Sequence, residues 1–127
     1  MTRVAAANPF ALHEGAAETW AFIERNVLEA GLVDPALKEL CFAYVADPDS
    51  VDVGRYGGRE RAALDWAYAI VWDADESTDE LWTRLHEHFS EPELVELGCA
   101  IGFELGRQHV LRALGADPAS VRASQLT

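Results

Sequence analysis

Apolar residues recur at spacings of three and four in two segments of the first half of the chain, which is the period of one helix face. The first segment covers residues 16–30 and precedes Gly31, a residue type that commonly ends helices. The second begins at Asp34-Pro35, an N-cap residue followed by the proline favoured at the first helical position, and stops at Asp47-Pro48. The repeating residues are Trp20, Ile23, Val27 and Ala30 in the first segment and Leu37, Leu40, Cys41 and Tyr44 in the second. Each segment predicts one amphipathic helix.

Two more helices are predicted after a loop that begins at Asp47 and is rich in glycine and aspartate. Helical spacing resumes at Arg59 and continues to about Trp72. After a short acidic segment, Ser77 and Glu80 have the spacing of a capping box, in which two side chains satisfy backbone N–H groups at a helix start. The sequence therefore predicts a third helix over 59–72 and a fourth that starts at this pair.

The last predicted helix is the longest. Ser90 and Glu93 have the spacing of a second capping box, and helical spacing continues from there to Leu114, just before Gly115. At 1.5 Å per residue this helix would be about 35 Å long. Because no segment alternates apolar and polar residues as a half-buried strand does, we expect an all-α fold of about five helices.

The chain length of 127 residues is that of one domain. We expect residues 16–115 to form this single helical domain. Residues 1–15 are expected to be a loose N-terminal arm, and residues 116–127, which are rich in alanine and serine, a flexible tail.

Three glycines, Gly98, Gly102 and Gly106, fall four residues apart inside the last predicted helix. Each costs about 1 kcal/mol of helix stability relative to alanine, so we expect the close approach of another backbone to offset the cost. Packing arguments slightly favour a tight helix crossing within the monomer. The alternative is that these glycines contact the same groove of a second copy. The glycines alone therefore do not decide between a monomer and a homo-oligomer.

The charge balance excludes some classes of partner. Ten basic residues face 22 acidic ones, which gives a formal net charge of −12 and a pI near 4.5. Phosphate binding needs clustered cations, so we expect no nucleic-acid partner, and an anionic membrane surface is disfavoured as well. The N-terminal residues lack the apolar region of a signal peptide, and no segment is long and apolar enough to span a membrane. We therefore expect a cytoplasmic protein.

Two ionisable residues in the apolar last helix are candidates for catalysis. His109 falls on the same face as the glycines, and Glu104 points about 140° away from it at 100° per residue. Each also has a structural interpretation. Glu104 can pair with Arg107 or Gln108 one turn further along, and His109 can be a hydrogen-bonded interior residue.

No metal or cofactor is expected. His86 and His88 lie two residues apart on a predicted helix, where their side chains diverge by about 200° and cannot chelate one ion together. The sequence contains no phosphate-binding glycine motif that follows a strand, and no nucleophile motif of the hydrolases. Cys41 and Cys99 occupy apolar helix positions, where thiols usually pack and do not react.

Five short strings share their order and spacing with a known family. They cover most of residues 34–115 and are ALKEL at 36–40, YGGRERAAL at 56–64, HFSEPELVELG at 88–98, IGF at 101–103 and LRALG at 111–115. In these strings the chain resembles the carboxymuconolactone decarboxylase and alkylhydroperoxidase-D-like superfamily. The resemblance implies an all-helical fold that assembles as dimers, trimers or hexamers through the helices of neighbouring subunits.

Redox members of that superfamily carry a CxxC motif followed by histidine just beyond the helix that here contains Leu40. In this chain the helix continues as Cys41-Phe-Ala-Tyr44 and runs into the acidic loop without that motif, so no catalytic residue is carried over. A thiol peroxidase or disulfide reductase would instead need Cys41 and Cys99 to meet, with their Cα atoms within about 7 Å. We expect a non-redox member.

Apart from thiol redox chemistry, two functions are compatible with the sequence. The first is a homo-oligomeric helical protein that binds a small ligand or performs acid–base chemistry on one. Its pocket is expected between the helices that bear Tyr44, Trp66, Glu104 and His109, with Glu104 or His109 as the group that transfers a proton. The second is a structural or partner-binding module that has kept the fold and lost the site.

Overall fold

The computed structural model describes residues 3, 4 and 6–121, apart from the side chain of Glu76. The protein folds into five α-helices, which are α1 (Glu14–Ile23), α2 (Pro35–Ala46), α3 (Gly58–Trp72), α4 (Asp79–His88) and α5 (Glu91–Ala113). Short 3₁₀ turns occupy parts of the connecting segments, and the described residues include no strand. The predicted all-α fold of about five helices with a long last helix is therefore confirmed.

The centre of the fold is the mutual packing of α2, α3 and α5, and α4 packs on the side of α3. The main hydrophobic core lies between these helices and includes the fully buried side chains of Cys41, Ala63, Leu64, Ala67, Leu85, Leu97 and Ile101. Removing these apolar surfaces from water stabilises the fold by about 25 cal/mol per Å². None of the helices in the described part of the chain is both long enough and apolar enough to cross a membrane.

The first helix does not continue regularly to Gly31. After α1 it passes into a π-helical turn, Glu24–Leu28, in which Glu29 N donates to Glu24 O at 2.9 Å. The buried side chains of this stretch are Ala21, Glu24 and Leu28. The predicted face is only half-buried at Trp20, Ile23 and Val27 and is exposed at Ala30. The hydrophobic pattern indicated the wrong face because the buried one carries a carboxylate.

The C-terminal end of this first helical stretch is capped by the side chain of Lys38. Its ammonium is completely buried and donates to Val27 O at 2.6 Å and to Ala30 O at 2.7 Å. Glu96 on α5 supplies the counter-charge, with Oε2 at 3.2 Å from Lys38 Nζ. Lys38 thus satisfies carbonyl oxygens that have no partner within the helix and places its charge at the negative end of the helix dipole.

The turn between the first two helices is fixed by Glu96. The carboxylate accepts hydrogen bonds from Leu32 N at 2.9 Å and from Val33 N at 2.7 Å. Gly31 has a φ of +118°, and a Cβ built there would collide with the Glu96 carboxylate. The turn therefore requires glycine for its backbone conformation and for the close approach of α5.

Both predicted capping boxes can be compared with the structure. Ser90 and Glu93 form the predicted capping box of α5, with both reciprocal hydrogen bonds present. The prediction for α4 was wrong by one residue, because Thr78 is the N-cap and its hydroxyl accepts from Leu81 N at 3.2 Å. The Ser77 hydroxyl instead donates to the carbonyl of the preceding 3₁₀ turn.

Residues on both sides of 16–115 contribute to a second, smaller hydrophobic cluster. Phe10, in the 3₁₀ turn Pro9–Leu12, stacks on Trp20 with 5.7 Å between ring centroids and packs in a cluster with Leu111. Val121 is buried in the same cluster. The predicted arm and tail include residues 1, 2, 5 and 122–127, which lie outside the described residues, so the domain boundaries stay a prediction.

We expect Glu96→Gln to lower the free energy of unfolding by about 3 kcal/mol at pH 7, because it leaves the buried Lys38 ammonium without a counter-charge. In the wild type, burial of Glu96 opposes its ionisation, but hydrogen bonds from Val33, Leu32 and Lys38 outweigh this effect and hold its pKa below the usual range. A carboxyl group with a lowered folded-state pKa stabilises the fold fully above its unfolded pKa of about 4.3, and less as the pH falls below it.

The difference in stability between wild type and Glu96→Gln should therefore shrink from pH 7 to pH 3.5. Urea unfolding followed by far-ultraviolet circular dichroism measures it. Glu87→Gln, on the exposed face of α4, serves as the matched control and is expected to stay within about 0.5 kcal/mol of wild type. A difference that is the same at both pH values would contradict the assigned role of the ionised carboxylate.

Candidate functional site

An open, mainly apolar cleft lies where α3, α4 and α5 meet. Its volume is about 430 Å³, within the usual range for small-molecule sites. The apolar walls are formed by Trp66 of α3, Trp82 of α4, and Leu94 and Val95 of α5. A cleft of this size and lining fits a small, flat, largely apolar molecule.

The inner wall is the ring of Trp66, which is almost completely buried and meets Trp82 edge-on at 5.6 Å between centroids. Gly98 on α5 makes room for this ring, because a Cβ at that position would lie 2.9 Å from Trp66 Cη2. The first of the three glycines in the last helix is therefore explained within the monomer by a side chain, and not by the close approach of another helix.

The outer wall is formed by Trp82 and His86, which are neighbours one turn apart on α4. Trp82 is 36% exposed, and its ring lies 5.8 Å from that of His86. His86 Nδ1 is 2.8 Å from Trp82 O, and since a carbonyl oxygen only accepts, Nδ1 carries the hydrogen. In the neutral ring the lone pair is then on Nε2, 3.9 Å from Glu91 Oε1. In that form of the ring, Nε2 is a hydrogen-bond acceptor at the edge of an aromatic cleft.

The two cysteines occupy different environments. Cys41 is completely buried in the main core, and burial raises its pKa to about 12, so its thiolate is scarce at neutral pH. Cys99 is exposed and lines the cleft, so its prediction as a packing residue of the last helix was wrong. Both thiols are free. With one thiol in the core and the other at the surface, the structure does not favour thiol–disulfide exchange between Cys41 and Cys99.

Tyr44 lies in a different aromatic group from Trp66. Its ring meets Trp72 edge-on at 6.0 Å, and Trp72 contacts Tyr68 at 5.0 Å. A separate cleft of about 480 Å³ is lined by Tyr44, Tyr68 and Asp65. Burial, and then the neighbouring Tyr68 and Asp65, raise the pKa of Tyr44. The structure therefore places the two predicted binding residues in separate clefts.

Glu104 belongs to a buried polar network at the C-terminal half of α5. Arg107 donates from Nε and Nη2 to the two carboxylate oxygens of Glu104 at 2.7 and 2.8 Å, and Gln108 Nε2 donates to Oε2 at 2.8 Å. Arg107 also donates to Pro118 O and Val121 O, at 3.0 and 2.8 Å. Burial alone would lower the pKa of Arg107, but contact with the Glu104 carboxylate raises it. These contacts favour the interpretation of Glu104 as a structural residue over its interpretation as a catalytic one.

His109 is exposed, so the interpretation of it as an interior histidine was wrong. It lies near the end of an outer face of α5 that also exposes Gly102 and Gly106. A Cβ built at either glycine would have no described atom within 4 Å, so the predicted tight helix crossing within the monomer does not account for them. Neither Glu104 nor His109 is among the residues that line the two clefts above.

Sequence reasoning named Trp66 as a binding candidate and Gly98 as a packing residue, and it considered His86 only as a metal ligand. It missed Trp82 and His86 as residues of this cleft, although they are four residues apart on one helix. The available signal was the spacing itself, because an aromatic residue and a histidine one helical turn apart lie on the same face of the helix. In the described part of the chain, no three His, Cys, Asp or Glu side chains come together to hold a metal ion.

We expect Arg107→Met to lower the free energy of unfolding by about 3–5 kcal/mol, because it leaves the Glu104 carboxylate buried without its cation. The double variant Glu104→Leu/Arg107→Met removes both charges and should be more stable than Arg107→Met alone. Urea denaturation of the three proteins measures this. Arg55→Met, at an exposed arginine of the 3₁₀ turn Val53–Arg55, is the control. A double variant less stable than Arg107→Met would contradict the assignment of a structural ion pair.

Comparison with known proteins gives no match to a family model, to a curated protein or to a solved structure. The resemblance to the carboxymuconolactone decarboxylase and alkylhydroperoxidase-D-like superfamily therefore stays a prediction, and the function must be inferred from the residues of this chain.

Proposed function

We propose that the protein binds a small, flat, largely apolar molecule in the cleft between α3, α4 and α5, without thiol redox chemistry. The observation that carries the proposal is the edge-on pair of Trp66 and Trp82, which lines a cleft of about 430 Å³ and leaves one ring accessible. Large aromatic rings in a cleft provide apolar contact area and ring–ring interactions worth about 0.5–1.5 kcal/mol beyond burial.

The polar groups at the cleft narrow the class of ligand. His86 Nε2 is an acceptor when the ring is neutral, and the Glu91 carboxylate beside it is a second acceptor. A ligand that fits both the apolar walls and these acceptors is an aromatic compound with a hydroxyl or another hydrogen-bond donor at one edge. Phenolic compounds have this chemistry.

Binding rather than turnover is the function that these groups support. Glu104, one of the two candidate proton-transfer groups, is held by Arg107 and Gln108 in a buried network. The other, His109, projects from the outer face of α5. His86 is the basic side chain beside the aromatic rings, and its contacts suit the orientation of a ligand hydroxyl.

Self-association is a second proposed property. Gly102 and Gly106 are open on the outer face of α5, and the large apolar residues Val95 and Val110 are exposed on the same face, at 67% and 43%. Exposed apolar surface of this kind usually marks an interaction site.

Membership of the superfamily named above is also retained as a proposal, supported by the all-helical fold and the long last helix. A cytoplasmic location fits the exposed free thiol of Cys99.

We expect 2-naphthol to bind saturably to the wild-type protein in isothermal titration calorimetry. Trp82→Ala should weaken binding about tenfold, which corresponds to about 1.4 kcal/mol of lost aromatic contact. 2-Methoxynaphthalene should bind several-fold more weakly than 2-naphthol, because it cannot donate a hydrogen bond to His86 or Glu91.

Phe22→Ala provides the matched control, since Phe22 is an exposed aromatic residue of α1 outside the cleft. Its affinity for 2-naphthol should equal that of wild type. An equal loss in Phe22→Ala and Trp82→Ala would indicate non-specific hydrophobic binding. Absence of saturable binding would favour the alternative of a structural module without a ligand site.

A further inference from the structure

A second aromatic group lies toward the C-terminal ends of α2 and α3, separate from the cleft that holds Trp66 and Trp82. Trp72 stands between two tyrosines, with its ring centroid 5.0 Å from that of Tyr68 and 6.0 Å from that of Tyr44. Tyr44 is buried, whereas Tyr68 and Trp72 are 52% and 45% exposed. Two rings are therefore accessible at the surface, and the third joins them to the core.

The cleft of about 480 Å³ beside these rings has both apolar and charged walls, and its volume is within the usual range for small-molecule sites. Tyr44 and Tyr68 line it together with three aliphatic side chains. Its charged lining residues are Arg61, Asp65 and Asp73.

Asp73 is the carboxylate of this cleft that lacks a counter-charge. Asp65 accepts hydrogen bonds from Arg61 Nε at 3.0 Å and from Arg84 Nη2 at 2.9 Å, so it is already paired with two cations. Arg61 donates in addition to Val53 O at 3.4 Å. Within the part of the chain that the structure describes, the Asp73 carboxylate has no hydrogen bond and no ion pair.

The position of Asp73 in the fold also calls for a cation. Asp73 is the C-cap residue of α3, and the last turn of that helix contains no basic residue. The carbonyl groups at a helix C-terminus form the negative end of the helix dipole, which a cation stabilises and a carboxylate does not. The net charge of −12 adds a general attraction for cations. A bound cation would relieve the repulsion between the carboxylate and the helix end.

We propose that this cleft binds a small organic cation with a methylated ammonium head, which lies against the exposed rings of Tyr68 and Trp72 beside the Asp73 carboxylate. Aromatic faces attract such a head electrostatically, and its methyl groups gain apolar contact with the rings. A calcium ion would need six or more oxygen ligands, but the cleft offers a single carboxylate without a partner among the described residues.

This site is independent of the proposed function. None of the residues that line it also lines the cleft of Trp66 and Trp82. The protein would thus take two classes of ligand at two places, and either site can fail without the other. Substitutions at Tyr68 and Asp73 should leave the affinity for 2-naphthol unchanged.

The first part of the test uses choline chloride as the probe. Its matched control is 3,3-dimethylbutan-1-ol, which has the same shape with a carbon atom in place of the charged nitrogen. Both are titrated into the isotope-labelled full chain at constant ionic strength and followed by heteronuclear NMR. Choline should shift the signals of the Trp72 indole N–H and the Tyr68 amide saturably at millimolar concentrations, and the alcohol should bind about tenfold more weakly.

The second part uses variants at two exposed positions, whose folding is checked by circular dichroism. Tyr68→Ala should weaken choline binding about tenfold, whereas Tyr68→Phe keeps the ring and should stay near the wild-type affinity. Asp73→Asn should weaken it about threefold, as expected for one exposed charge. The matched controls are Phe22→Ala and Glu18→Gln, which remove an exposed ring and an exposed carboxylate from α1 and should not change the affinity.

Equal affinity for choline and the alcohol would overturn the proposal, and so would the absence of saturable shifts. A loss in the two α1 controls as large as that in Tyr68→Ala and Asp73→Asn would indicate non-specific attraction to an acidic surface. Tyr68→Phe as weak as Tyr68→Ala would show that the hydroxyl group, and not the ring, holds the ligand. Each of these results rules out the assigned site.

The source of the head group is tested with phosphatidylcholine vesicles, which carry the same trimethylammonium group on a lipid. The wild-type protein should not sediment with them. Sedimentation with the vesicles that is lost in Tyr68→Ala would assign the site to a membrane lipid and overturn the proposal of a free cation.

Discussion

The fold depends on one buried ammonium group. Lys38 has no contact with solvent, and its charge is stable there because two helix carbonyls and the Glu96 carboxylate surround it. The desolvation of such a charge is costly unless its hydrogen bonds and counter-charge are complete. This single group joins the end of the first helical stretch, the start of α2 and the N-terminal third of α5. Since α2 and α5 are two of the three central helices of the core, this junction connects the first helical stretch to the centre of the fold.

α5 combines three environments along one helix. One side packs into the core through residues such as Leu97 and Ile101. A second side carries its buried polar groups, with Glu96 fixing the first interhelical turn and Arg107 holding the carbonyls of Pro118 and Val121. The third side is the open face proposed to pair with another copy. The length of α5 is what allows one element to position the turn, the cleft and the C-terminal segment together.

Local features were predictable from the sequence because their causes are local. The capping box at Ser90 and the Asp34-Pro35 helix start depend on residues a few positions apart, and both are present in the structure. The start of α4 was missed by one residue because Ser77 and Thr78 are both good N-cap residues and the backbone decides between them.

The candidate functional site was only partly predictable from the sequence. Trp66 and Gly98 were singled out, but their contact joins residues far apart in the chain. The burial of Lys38 also depends on residues distant in sequence, above all Glu96, which a hydrophobic pattern does not contain.

Lys38 has a chemical consequence beyond its place in the fold. Lysine occurs once in the sequence, and that residue is inaccessible. The folded protein therefore offers no side-chain amine to acylating reagents or to enzymes that acetylate or ubiquitinate lysine. Such reagents can reach this amine only when the helix ends around it separate, so acylation of Lys38 would record the opening of the structure.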